Sequence, residues 1–227
     1  MKTYLPVPLR RAFLTTTLLL LAACSSPKPP DWQVEAKGSM ERSTAAYMDG
    51  NSRVETAELA RARSQLSRTG RADLLATAEL LHCATRVASL VFEPCADFEA
   101  LRGDATQAQR AYADYLRGQV QTESIPLLPA AQRAAAAGDA NVLKGIADPL
   151  SQLVAAGVLL QTGKASPPVI AQAIDTASSQ GWRRPLQAWL GVQAQRAEQG
   201  GDAEEAARLR RRIAITQGKA LPEKEKK

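Results

Sequence analysis

Apolar residues in this chain recur at spacings of three and four rather than two. Ala76, Leu80, Cys83, Val87 and Leu90 form one such line, and Leu190, Ala194 and Ala197 form another. That is the period of one face of an α-helix. Alternating runs rich in Val, Ile, Thr and Tyr, which would mark strands, are absent. Glycine interrupts the pattern at Gly50, Gly70, Gly103, Gly118, Gly138, Gly163, Gly181, Gly200, Gly201 and Gly218, often 18–20 residues apart. Glycine readily takes the left-handed conformation that ends a helix. Gly-Asp-Ala occurs at 103–105, 138–140 and 201–203, where aspartate would cap the helix that follows. Ser52 with Glu55, and Asp202 with Glu205, have capping-box spacing. The pattern predicts helices over 32–48, 52–68, 72–91, 107–120, 129–137, 140–161, 168–180, 184–199 and 203–216. The sixth has a weak point at Asp148-Pro149, and Ser166-Pro167 opens the seventh with proline in its first turn.

Helices of this length joined by tight glycine turns stack as antiparallel hairpins. The fold class expected is all-α, with residues 31–217 forming one helical domain. Two forms are open: a short solenoid or an irregular helical bundle. The segment "PLQAWLGVQAQRAEQGGDAEEAARLRRRI", residues 185–213, resembles a tetratricopeptide hairpin. Leu190, Ala194 and Ala197 would line its first helix, Gly201 would turn the chain, and Ala206 would take the small position at the helix crossing. The resemblance implies a stack of such units, with about 34 residues in each. Three departures weigh against it. Arg210 stands where an aromatic is expected, the closing proline is missing, and Ile213 replaces a small residue.

The chain begins differently. Lys2, Arg10 and Arg11 precede a mostly apolar run over residues 12–23. That run is shorter than the ~20 residues a membrane span requires, and it suits the core of a signal peptide. It ends Leu21-Ala22-Ala23-Cys24, which resembles the lipobox of bacterial lipoproteins. The resemblance implies cleavage before Cys24, removing residues 1–23, and acylation of Cys24 as a membrane anchor. More than one acyl chain is needed for stable anchoring. Ser25 and Ser26 follow, with no aspartate to suggest inner-membrane retention, so the expected location is the periplasmic face of the outer membrane. Residues 24–30 read as a Pro/Ser tether and 218–227 as a disordered charged tail.

An oxidising compartment changes the reading of the remaining thiols. Cys83 and Cys95 both lie in "LLHCATRVASLVFEPC", residues 80–95, which also holds the only histidine, His82. An even number of thiols there favours a disulfide. A helix running to about residue 91 and an extended return past Pro94 could bring the two Cα atoms to ~5.5 Å. Two free buried thiols, or a metal or redox site, are the alternatives. The metal reading has too few convergent ligands, since His82 and Cys83 point about 100° apart on a helix. His82 shares a stripe with Glu79, Arg86 and Ser89, expected to face solvent.

Composition limits the chemistry. Aromatics make up 4% of the chain, and the net charge of +6 falls to +3 once residues 1–23 are removed. Nucleic acid is not an implied partner. The densest basic feature is "RLRRR", where Arg208, Arg211 and Arg212 would point outward. It reads as a solvated face or as contact with anionic lipid or an acidic partner. Trp182, Arg183 and Arg184 could extend it. The nucleophile elbow, the zinc-protease motif, the phosphate loop and the dinucleotide fingerprint are all missing. One fragment, Glu123-Ser124, resembles the catalytic pair of outer-membrane lytic transglycosylases. It would need an apolar cleft around Glu123 to act as a general acid. The expected function is therefore a lipid-anchored, non-catalytic scaffold or adaptor in an envelope assembly, with a protein partner and no cofactor or metal. The alternatives are a cell-wall enzyme using Glu123 or a carrier of small ligands.

Overall fold

In the computed structural model, residues 28–139 and 141–218 are described. The signal segment, Cys24, part of the tether and residues 219–227 lie outside them. The described chain is all helical, with ten α-helices and two 3-10 turns. A first hairpin pairs α1 (Asp31–Met48) with α2 (Ser52–Ser67). α3 (Ala72–Ala88), the short α4 (Ala96–Glu99) and α5 (Gln107–Leu116) follow. A 3-10 turn (Thr122–Leu127), α6 (Ala130–Ala136) and a second 3-10 turn (Val142–Gly145) lead into α7 (Pro149–Gln161). α8 (Pro167–Ser179) precedes a last hairpin of α9 (Arg183–Gln199) and α10 (Ala203–Thr216).

α7 is the axis of the molecule. Residues 152–159 are all buried, as expected of a helix that is apolar all round. It packs against α3, α5, α6 and α8. At its crossing with α3, Gly157 lies so close that a Cβ there would overlap the Val87 carbonyl oxygen. α9 returns to α1 at the far end, so the array closes on itself. Of the two forms the sequence left open, the molecule takes the irregular bundle, with regular hairpins only at its two ends. Leu190, Ala194, Ala206 and Leu209 are buried in the last hairpin as its periodicity required, and Gly201 turns it at φ 77°.

Burial divides into two cores. The larger centres on Trp189, Tyr47, Tyr115, Phe98 and Met48 and includes α7. The smaller joins Ala36, Met40, Leu59, Ala62, Leu66 and Ala78 between α1, α2 and α3. Helix ends account for most differences from the sequence reading. α3 stops at Ala88 rather than residue 91, because Leu90 takes the left-handed conformation (φ 62°) that glycine usually supplies. The Val91 amide then bonds back to the Arg86 carbonyl. α5 ends at Leu116, two residues before Gly118, which closes it in the same way. The long helix expected over 140–161 is broken. Asp148 caps α7 by accepting from the Ser151 amide at 2.7 Å, and Pro149 starts it.

Candidate functional site

Buried charge is concentrated between α2 and α3. The Ser52–Glu55 spacing suggested a capping box, but Asn51 caps α2, accepting from the Val54 amide at 3.2 Å. Glu55 is free to turn inward, where it is 3% exposed. Its Oε1 accepts from Arg86 at 2.8 Å and lies 3.2 Å from His82 Nε2. Arg86 also sits 2.8 Å from the same Nε2. The one ring nitrogen thus faces a donor, the Arg86 guanidinium, and an acceptor, the Glu55 carboxylate. Burial pushes the His82 pKa below its ordinary value of 6.5, and Arg86 adds to the shift, while Glu55 opposes it. The Arg86 guanidinium stacks 4.5 Å from the Tyr47 ring centre, and Arg184 of α9 lies 4.4 Å from the same ring. Four helices thus meet on one charged cluster. The stripe of Glu79, His82, Arg86 and Ser89, expected to face water, is largely buried: Glu79 and Ser89 are inside and His82 is half-buried. The reason is that α2 covers it and supplies the countercharges.

Beside this cluster lies a polar cavity of about 260 Å³, walled by Glu79, His82, Arg86, Asp97 and the Cys83–Cys95 pair. The two cysteines are joined, with their Cα atoms 5.9 Å apart. Cys83 is therefore engaged in a bond and is no metal ligand. Arg63 of α2 donates to both oxygens of Glu79 and to Asp97, so the loop that carries Cys95 is pinned to α2 as well as to α3. Among the described residues there is no cluster of three potential metal ligands.

The second feature is apolar. Two clefts of about 510 and 210 Å³ lie on either side of Thr77 and Leu81, which line both. The smaller is walled by Trp32, Ala36 and Met40 of α1 with Leu66 and Leu74. The larger is walled by Leu80, Ala108 and Tyr112 with Leu127 and Leu128. The two adjoin on α3 at these shared residues, and the pair is called the groove below. Alanines at 36, 78 and 108 leave the trough, since their side chains fill little of the space between helices. Apart from Thr77, Gln33 and Lys37 of α1 are the polar side chains at the rim of the smaller cleft, and Gln109 is that of the larger. Its amide donates to the Asp73 carbonyl at 2.7 Å and to Thr77 Oγ1 at 2.8 Å, so its donors are already used. Leu127 projects over the groove with 42% of its surface exposed.

The chain matches no protein-family model, no characterised protein and no solved structure. Glu123 is exposed on the 3-10 turn, outside any apolar cleft, so the condition for a general acid is not met. Arg208 and Arg211 are exposed as expected, but Arg208 is bound by Glu205 and Arg212 is half-buried. Arg183 and Arg184 do not extend this face. Arg183 donates to the Asp49 carbonyl, and Arg184 donates to the Tyr47 carbonyl and to Ser52. Trp182 packs against the main core. Cys24 lies outside the described residues. Sequence reasoning missed Glu55, although it carried a signal. Glu55 shares a line of four-, three- and four-residue spacing with Leu59, Ala62 and Leu66, all buried. A carboxylate on an apolar stripe requires a partner inside.

Proposed function

We propose that this protein is a lipid-anchored, non-catalytic adaptor of the bacterial envelope, held at the periplasmic face of the outer membrane through Cys24. The observation that carries the reading is how the buried charge is used. Glu55, Glu58 and Glu79 each face arginine, so these carboxylates serve helix packing rather than acid–base chemistry. The folded body starts at Asp31, seven residues past Cys24, a short tether that would keep the helices near the lipid surface. The test is cross-linking in living cells followed by purification under denaturing conditions. A reproducible protein partner from one envelope assembly is expected. Recovery of peptidoglycan alone would refute the adaptor reading.

The groove favours a second reading, a carrier of an apolar small ligand. Its walls are almost wholly apolar, and concave apolar sites are where such ligands bind. Native mass spectrometry of the purified protein would separate the two readings, because a carrier retains a stoichiometric apolar mass unrelated to its own anchor.

A further inference from the structure

We propose that the groove across α3 is the seat of one of the acyl chains carried by the protein's own Cys24. This rests on the lipid anchor proposed above. The position of the N-terminus carries it. Trp32, in the first turn of α1, forms one end of the groove. Lys28, Pro29 and Pro30 run exposed into that turn, and Cys24 stands only six residues before Pro30. Six residues span at most ~20 Å, so Cys24 cannot travel far from the groove mouth. A group tethered this closely has an effective local concentration on the order of millimolar, which a free ligand in the periplasm would have to match.

The dimensions agree. An acyl chain fills one leaflet, half of the ~30 Å hydrocarbon core, so it extends ~15 Å. The groove runs from α1 over α3 to α5, two helix spacings of ~8–10 Å each. Trp32, Met40, Leu74, Leu81, Tyr112 and Leu127 would contact the chain along that path. The Gln109 amide has both donors engaged, and Lys37 at the rim is exposed to water beside Glu41. Off the membrane, the groove would take hydrocarbon out of water. In the membrane, the same chain would enter the bilayer and leave the groove empty.

The test uses two forms of the mature protein and a dansyl-labelled fatty acid as the probe. One form is extracted from membranes with its lipid and transferred to detergent-free buffer. The other carries Cys24→Ser behind an ordinary cleavable signal and so lacks lipid. The described residues have their own closed cores, so this form folds without an anchor. The unlipidated form should bind the probe, and the lipidated form at least tenfold more weakly. Leu81→Asp and the exposed Leu127→Asp should each weaken binding to the unlipidated form at least tenfold, and Leu127 is too exposed for its loss to unfold the protein. Equal binding by both forms would overturn the proposal and mark the groove as a site for outside lipid. No binding by either would also overturn it. The mass of the N-terminal peptide is read separately. An unmodified Cys24 there would sink the anchor itself, whatever the probe does.

Discussion

His82 shows how one side chain can report on the packing of α2 against α3. Its ring lies between Arg86 and Glu55, with its pKa pushed below 6.5 by burial first and Arg86 second. The unfolded chain therefore binds more protons than the folded one as pH falls below 6.5. Stability is full above that value and is lost as pH falls towards the lowered pKa. Thermal unfolding followed at pH 7.5 and at pH 5 should show this loss in the wild type. In His82→Gln, which cannot titrate, the difference should shrink markedly. An unchanged difference would mean that other groups govern this range.

At the scale of helices, two glycines with opposite surroundings give opposite expectations. Gly157 of α7 faces the Val87 carbonyl at the crossing with α3, so Gly157→Ala must push the helices apart and should cost ~1–3 kcal/mol. Gly191 lies within α9 with no atom near its missing Cβ. Gly191→Ala should stabilise by ~0.5–1 kcal/mol through helix propensity alone. Melting temperatures of both variants, each compared with the wild type, would check the pair. The loop after α3 is a third element-scale case. Removing its cross-link with Cys83→Ser and Cys95→Ser together should cost ~3 kcal/mol, or roughly 6–12 °C in Tm. The existence and order of the long helices were legible because each carries a local apolar stripe and a local stop. The end of α3 was not, because a leucine replaced the usual glycine. The four-residue α4 and the 3-10 turns were not, because segments that short show no periodicity. The inward turn of Glu55 was only half legible: its place on the apolar line was visible, but the arginine that satisfies it lies 31 positions away.

For the whole molecule, the anchor reading makes a direct demand. Cys24→Ala should move the protein out of the membrane fraction, or leave its signal segment uncleaved, and fractionation with N-terminal mass analysis would detect either. A fully processed, membrane-bound variant would refute the anchor. The groove could not be read in advance, because it is a gap made by small residues of three separate helices, and no local pattern records a gap. The first and last hairpins, by contrast, look independent in the sequence and are joined in the fold. Arg183 and Arg184 hold the end of α1 across 134 and 137 positions, and Trp189 donates to the Ala88 carbonyl across 101. Contacts that distant form late, since the entropy of closing a long loop must be met before they form. A chain made amino end first thus forms its opening hairpin early but cannot seal it. The carbonyls at Tyr47 and Asp49 lack their arginine donors until nearly 190 residues have been made, which sets a window in which the half-folded protein is open to chaperones and proteases.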